Sequence, residues 1–550
     1  MSTIEQALQC LERGDLAEAE RLAQTALLDV HRRPDGLHVL ALAALRRGRR
    51  HEALKALEEA VSLDPHNGDR LLSLSQLALE LGEHARARVY AERLLAFEQH
   101  AAQASNCLGR ALLGLRRAAD AVAAHETAVA RAPRDPKYWS DLGTARLAAG
   151  HLQEAITAFR TVARLAPQVA VAHFNLATAL LNAEQVDEAA CVFEQTTRLD
   201  AGHAKAHENL GIALKRLGRV DEALRAQQTA LRLAPGDPDV MWNLALTELL
   251  LGDFETGFDH FEARLRLPSH KLFGRATWQG APIPDRDLMI VGEQGLGDTL
   301  QFLRFAEAAA ARARCTTLHC RSELLALLRA GYHGPVRLEP LEADAHAPPD
   351  TALVSLMSLP HVLGVGSQLA APEPYLEVAP EEVAAWRARL PDDRFCVGLS
   401  WQGNPSYRAD RERSVSLRRL EPLLDVPGCH FVSLQRGHGS EQLADLPTDC
   451  VEDLGNTLDP PGKAFVGTAP LIGALDLVIT TDTAVAHLAG AMGAPVWMLL
   501  SKVPDFRWGL SGNRWYPSMR LFRQRTAGAW DPVVASVRTA LEAQCEKRAA

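Results

Sequence analysis

The run Thr480-Thr481-Asp482-Thr483-Ala484-Val485-Ala486-His487-Leu488-Ala489-Gly490-Ala491 holds the residue types of an anion site. It follows an apolar stretch, Leu475 to Thr480, that reads as a buried strand. Thr481 or Asp482 stands where a helix cap belongs. A helix opening there turns its unpaired backbone N–H groups, and the positive end of its dipole, towards a diphosphate. His487 lies four residues beyond Thr483, so both share one helix face. The plainer alternative is ordinary capping with a core histidine.

A second turn, Gly292-Glu293-Gln294-Gly295-Leu296-Gly297-Asp298-Thr299, follows the apolar run Leu288 to Val291. Its glycines are not spaced as G-x-G-x-x-G, and the next strand ends His319-Cys320-Arg321 without a ribose-binding acid, which argues against a dinucleotide site. Asp285-Arg286-Asp287 looks like a metal-binding D-x-D, but it precedes a strand instead of ending one.

Elements able to position these residues follow from the pattern. A helix is expected over about 300–314, strands over 316–320 and 336–338, and a helix over 322–330. After a helix near 381–390 the strands restart at Cys396–Trp401, Phe431–Leu434, Leu475–Thr480 and Val496–Leu500. Strand and helix in alternation mean parallel sheets. Two Rossmann-like halves, 287–380 and 381–550, are expected to face a cleft, with ligands at the carboxyl ends of the strands.

Residues 1–268 are different: Ala, Leu, Arg and Glu dominate, and features recur every 34 residues. Ala19, Ala53, Ala87, Ala121, Ala155, Ala189 and Ala223 share one register, followed by Gly257. Gly14, Gly48, Gly82, Gly150, Gly218 and Gly252 share another, and Pro65, Pro133, Pro167 and Pro235 fall at multiples of the period. Each block fits two short helices, with Gly in the turn and Ala at the close approach. Such a pair buries its apolar face only by stacking on neighbours. The pattern, with Trp139, Leu142 and Gly143, resembles the tetratricopeptide repeat, which implies an all-α solenoid of about eight units that binds a protein or peptide. A linker, 269–286, follows.

Asn175, Asn209 and Asn243 stand 34 apart on successive first helices, after Asp141. An amide both donates and accepts, so this ladder suits the backbone of an extended acceptor. A similar ladder occurs in eukaryotic O-linked N-acetylglucosamine transferase. The alternative is that Asn is merely common at this position of such repeats.

Asp482-Thr483 with His487-Leu488-Ala489-Gly490-Ala491 resembles the nucleotide-sugar motif of the heptosyltransferase-like glycosyltransferases, inverting and metal-independent enzymes of the GT-B fold. Gly297-Asp298 resembles that family's Gly-Asp motif, whose Asp is the proposed general base. Gly398-Leu399-Ser400-Trp401-Gln402-Gly403-Asn404-Pro405, with Arg411 and Arg413, resembles the segment that brings a basic side chain to the phosphates, where the family proper uses Lys. Trp515 to Gln524 resembles a segment of a bacterial subgroup that joins tetratricopeptide repeats to this domain. The resemblance implies a nucleotide-sugar donor bound as substrate, with no cofactor and no metal. It assigns Asp298 the proton of the acceptor, and Glu293 is the fallback. N-capping of a helix from Thr299 is the other role open to Asp298. Gln435 is expected to touch the base or phosphate, unless it is only a loop residue. Trp401 either stacks on the base or packs in the core.

Composition sets the bounds. The chain has 550 residues, 47% hydrophobic and 23% charged, with a net charge of −9, so a disordered chain and a general nucleic-acid binder are both disfavoured. Nine cysteines without a C-x-x-C pair fit reduced thiols. No basic and apolar leader opens the sequence and no long apolar run occurs, so a cytoplasmic protein without a membrane span is expected. The rival to an enzyme is a repeat scaffold carrying an inactive transferase domain.

Overall fold

The computed structural model describes residues 3–268, 278–293, 295–342, 347–366, 373–407, 409–447 and 450–549. Gln294 and residues 269–277, half of the expected linker, lie outside the described residues. The chain divides into two compact units, Met1–Asn209 and Leu210–Ala550.

The first unit is a helical solenoid of paired helices, from Thr3–Arg13 with Leu16–Ala26 to Ala170–Asn182 with Val186–Leu199. The 34-residue register of the sequence is the register of its packing. Ala19, Ala53, Ala87, Ala121, Ala155 and Ala189 are all fully buried. Gly14, Gly48, Gly82 and Gly150 turn between paired helices at φ of 81°, 75°, 74° and 80°. Two repeats lack the glycine, and there Arg116 and Glu184 adopt the same left-handed backbone, at φ of 60° and 62°. The solenoid imposes the turn even where the residue resists it, at roughly 1–2 kcal/mol each.

The second unit begins within the helix Ala204–Arg216 and continues through repeat helices Val220–Leu233, Pro238–Leu251 and Phe254–Phe261 and a 3-10 turn, Glu262–Arg266. Two parallel sheets follow. The first contains β1 (Ile283–Val291), β2 (Ala313–Cys320), β3 (Arg337–Pro340) and β4 (Ala352–Ser355) in the order β3-β2-β1-β4. The second contains β5 (Phe395–Ser400), β6 (Cys429–Ser433), β7 (Glu452–Asp453), β8 (Leu477–Thr480), β9 (Val496–Leu500) and β10 (Met519–Arg523) in the order β10-β9-β8-β5-β6-β7. The strand order reverses at β1/β4 and at β5/β8, and such switch points open the crevices in which ligands sit.

Both faces of the second sheet are buried, as parallel strands require. Val397, Leu399, Ile479 and Leu499 pack with residues of the helix Leu417–Leu424 and the C-terminal helix Asp531–Ala549. Val432, Val478 and Met498 belong to a second core. That core runs on through Leu288 and Ile290 of β1 to Leu249, Phe254, Phe258 and Phe261 of the repeat helices. The last repeat helices therefore share a core with the sheets.

Three expectations need correction. The helix of 300–314 is broken into Leu296–Phe302, a 3-10 turn Leu303–Phe305 and Ala306–Ala310, because Phe302, Leu303, Phe305 and Ala306 must all be buried. β2 starts early, at Ala313, which pairs with Ile283 of β1. Asp285-Arg286-Asp287 lies within β1, at the end away from its carboxyl terminus, and Asp287 pairs with Arg314 at 2.9 Å.

Candidate functional site

Loops leaving the carboxyl ends of β1, β5, β6, β8 and β9 line a cleft of about 1020 Å³. Gly297, Asp298, Asn404, Arg413, Gln435, Asp482, Thr483 and His487 all lie on its wall. Trp401 does not. It is fully buried, its Nε1–H donates to the carbonyl of Gly439 at 3.2 Å, and it packs with Val397 and Leu399, so the structure places it in the core.

The helix Ala484–Ala491 opens onto this cleft one residue later than expected. Neither Thr481 nor Asp482 is its cap. Thr481 N–H still donates to the carbonyl of Ser400, which holds the chain against β5 and delays the helix. Thr483 is the N-cap, in extended conformation, and gives no side-chain cap; its hydroxyl lies 3.2 Å from that of Thr480. The first N–H groups of the helix thus receive no side-chain cap.

Arg413 reaches the cleft from the short helix Asp410–Arg413. Its Nε–H donates to Asp410 at 3.2 Å, and its guanidinium lies over the ring of Tyr407 at 4.6 Å. Asn404 folds its own loop, its Oδ1 accepting from the backbone and hydroxyl of Ser406 at 3.0 and 2.6 Å. Gln435 is committed to structure. Its Oε1 accepts from the backbone of Trp401 and Gln402, both at 3.1 Å, and its Nε2 donates to the carbonyls of Gln402 and His438. It clamps two cleft loops together, and its amide hydrogens are spent.

His487 is buried, with Nδ1 3.0 Å from the Tyr516 hydroxyl and its ring stacked on Trp508 at 5.4 Å. Burial, reinforced by the charges of Arg507, Arg304 and Arg413, pushes its pKa well below the usual histidine value. It therefore faces the cleft as neutral imidazole. Trp515 and Tyr516, from the segment 515–524, are the buttress on this side. Arg304 donates to the Trp515 carbonyl at 2.6 Å and lies over the Tyr516 ring. Asp482 is the converse: burial, with help from Asp505, pushes its carboxyl up to about 6, against the pull of Arg413 and Arg507.

Asp298 is the third residue of the helix Leu296–Phe302, and Gly295, not Asp298, is the N-cap. Its Oδ2 accepts from the Gly295 N–H at 2.9 Å, and its Oδ1 accepts from Arg507. The capping role exists, made by reaching back. Glu293 points elsewhere: its Oε1 accepts from Arg264 at 2.7 Å and from the Ser355 hydroxyl. Arg264 is fully buried, so the pair is a structural one whose rupture would strand a charge.

Sequence reasoning missed Arg507, Asp505 and the apolar wall. Asp505 and Arg507 lie in the loop after β9, and the rule that ligands sit at strand carboxyl ends could have nominated them. Trp242, Leu246 and Phe261 come from the repeat helices and also line the cleft. Nothing in a repeat period marks residues that face a different fold. The asparagines sit on their helices as expected, half-buried: Asn175 on Ala170–Asn182, Asn209 on Ala204–Arg216, Asn243 on Pro238–Leu251. Among the described residues no group of three or more His, Cys, Asp or Glu is placed to hold a metal, and no helix is long and apolar enough to cross a membrane.

Comparison with known proteins bears on the repeats. Tetratricopeptide repeat models match residues 44–106, 108–170, 174–238 and 215–267. Protein FlbA of Caulobacter vibrioides is 31% identical over 325 residues, 53% of this chain and 53% of that protein. The chain thus spans about half the length of this curated relative. Among solved structures, YrrB, described as a tetratricopeptide repeat protein with an unusual peptide-binding site, is 21% identical with a TM-score of 0.31, covering 34% of this chain and 97% of its own. A tetratricopeptide repeat protein from Parabacteroides merdae is 18% identical with a TM-score of 0.36, covering 44% of this chain and 97% of its own. The chain carries an N-terminal helical solenoid of tetratricopeptide repeats, followed by an α/β region of parallel sheets.

Proposed function

We propose that the second unit is an inverting, GT-B-type glycosyltransferase that moves a sugar from a nucleotide-sugar to a protein or peptide acceptor recruited by the repeats. The observation that carries this reading is the helix start at Thr483. It lacks a side-chain cap, opens at the β5/β8 switch point, and shares a cleft with Arg413 and Asp298.

The chemistry follows from the placement. The donor's diphosphate sits against the start of the helix Ala484–Ala491, near Arg413. An acceptor hydroxyl attacks the anomeric carbon from the opposite face, and Asp298 takes its proton as the new C–O bond forms. The bond to the diphosphate breaks, and the charge that grows on the leaving oxygens meets helix N–H groups and a guanidinium already in position. Neutral His487 packs beside this start without adding charge.

The experiment is a calorimetric titration of a nucleotide-sugar panel, followed by assay of nucleoside-diphosphate release with and without acceptor. Binding plus acceptor-stimulated release is expected. Failure of every nucleotide-sugar to bind would overturn the reading. One observation favours a second reading, a scaffold whose transferase domain is inactive: both Asp298 oxygens are already engaged, one by Arg507 and one by the Gly295 N–H. Binding without release, with any acceptor, would support it.

A further inference from the structure

Arg507 joins three side chains on or beside the cleft wall. It sits in the 3-10 turn Phe506–Trp508, after β9, yet it reaches the helix that follows β1. Its Nε donates to Gln301 Oε1 at 2.6 Å, its Nη1 to Asp505 Oδ1 at 2.7 Å, and its Nη2 to Asp298 Oδ1. Phe506 lies 4.5 Å from the guanidinium and Phe302 5.9 Å. The guanidinium is thus held between the two sheets' loops, and its exposed edge is part of the cleft wall.

This arrangement conflicts with the chemistry asked of Asp298. An acceptor hydroxyl finds both carboxylate oxygens already engaged, one by Arg507 and one by the Gly295 N–H. The cleft also carries Asp459, Asp482 and Asp505, so four carboxylates and the guanidinium groups of Arg321, Arg413, Arg436 and Arg507 line the space a diphosphate must enter. That conflict is relieved by one movement. A diphosphate offers a guanidinium the same bidentate geometry as a carboxylate, with more charge.

The geometry points to Arg507 as a positioning residue that exchanges Asp298 for the donor's diphosphate, so that the carboxylate is released to accept a proton only when the donor is bound. The inference rests on the glycosyltransferase reading of the same cleft. In the empty site Arg507 holds Asp298 in place. In the loaded site it stabilises the leaving group, with Asp505 and Gln301 still steering it.

The exchange makes Asp298 a competitor of the ligand. Binding of ADP, UDP, GDP and CDP is measured by calorimetry on the full chain, for the wild type, Asp298→Asn, Arg507→Gln and the double variant. Asp298→Asn is expected to tighten the preferred diphosphate by about tenfold, since it frees the guanidinium. In the Arg507→Gln background the same substitution is expected to do far less. What remains there is the through-space effect of removing a charge. Equal effects in both backgrounds, or weaker binding by Asp298→Asn, would show that Arg507 stays on Asp298 and overturn the exchange. If no diphosphate binds the wild type, the parent reading fails instead.

Thermal melts monitor each variant, and Arg507→Met replaces Arg507→Gln in the cycle if the latter does not fold.

Discussion

Gly297 and His487 meet where the two sheets' loops come together: a Cβ built on Gly297 would stand 3.0 Å from the imidazole Cδ2 and 3.4 Å from Cα of Ala484. The glycine lets the helix bearing Asp298 approach the start of the helix Ala484–Ala491. His487 cannot yield freely, because Tyr516 and Trp508 hold it. Gly297→Ala is therefore expected to destabilise the protein by about 1–3 kcal/mol, the usual range for overpacking. Donor affinity is expected to fall with it. Urea unfolding and calorimetry check the two effects separately, and a variant with unchanged values for both would show that the approach is slack.

Asp298→Asn keeps the size of the side chain and can still accept from the Gly295 N–H. If Asp298 takes the acceptor's proton, kcat falls by about 10²–10⁴, with little change in melting temperature. Near wild-type turnover would reduce Asp298 to its structural bonds. Glu293 would not then inherit the role, since Arg264 and Ser355 hold it.

Asp482 sets a pH dependence. Its carboxyl is buried, and its pKa rises from 3.8 to about 6 on folding. The native state then binds this proton more tightly than the unfolded chain, so ionisation opposes folding. Stability from this group is present below about pH 4 and is lost as pH rises towards 6. Asp482→Asn has no such loss. Its stability relative to wild type is expected to grow between pH 4 and pH 7, on the order of 2 kcal/mol. Unfolding curves at the two pH values test this, and a difference independent of pH would be the wrong outcome.

Arg116 and Glu184 occupy left-handed turns that glycine fills in the other repeats. Arg116→Gly and Glu184→Gly are each expected to stabilise the solenoid by about 0.5–1 kcal/mol, the strain relieved less the entropy glycine loses. Thermal melting of the single and double variants measures it. A lower melting temperature would mean that these side chains contribute more than their backbone costs.

The asparagines test acceptor recruitment. Changing Asn175, Asn209 and Asn243 to Ala together is expected to raise KM for a protein acceptor and spare donor hydrolysis. Identical acceptor kinetics in variant and wild type would leave the asparagines without that role.

The sequence by itself determined the elements whose cause is local or periodic. A 34-residue period fixes a small residue where helices touch and a turn where they part, so Ala19 through Ala189 were legible as buried without coordinates. Apolar runs likewise marked β1, β5, β8 and β9, and the polar turns closing the first three marked their cleft loops, because a parallel strand is buried on both faces and its carboxyl end is where polar groups can gather. Only the tertiary structure decided which polar groups meet. Asp298 lies in the first turn of the helix after β1 and Arg507 in the 3-10 turn after β9, and no spacing announces their pairing. Glu293 and Asp298 look alike on one glycine turn, yet one is drawn to the fully buried Arg264 and the other to the cleft. Trp401 left the site because the face of β5 beneath it is packed by Val397 and Leu399. Trp242 and Leu246 entered it because a repeat helix shares its core with the sheets. Side-chain identity and period are properties of the chain; burial and charge pairing depend on what the fold sets opposite, and that is absent from any local pattern.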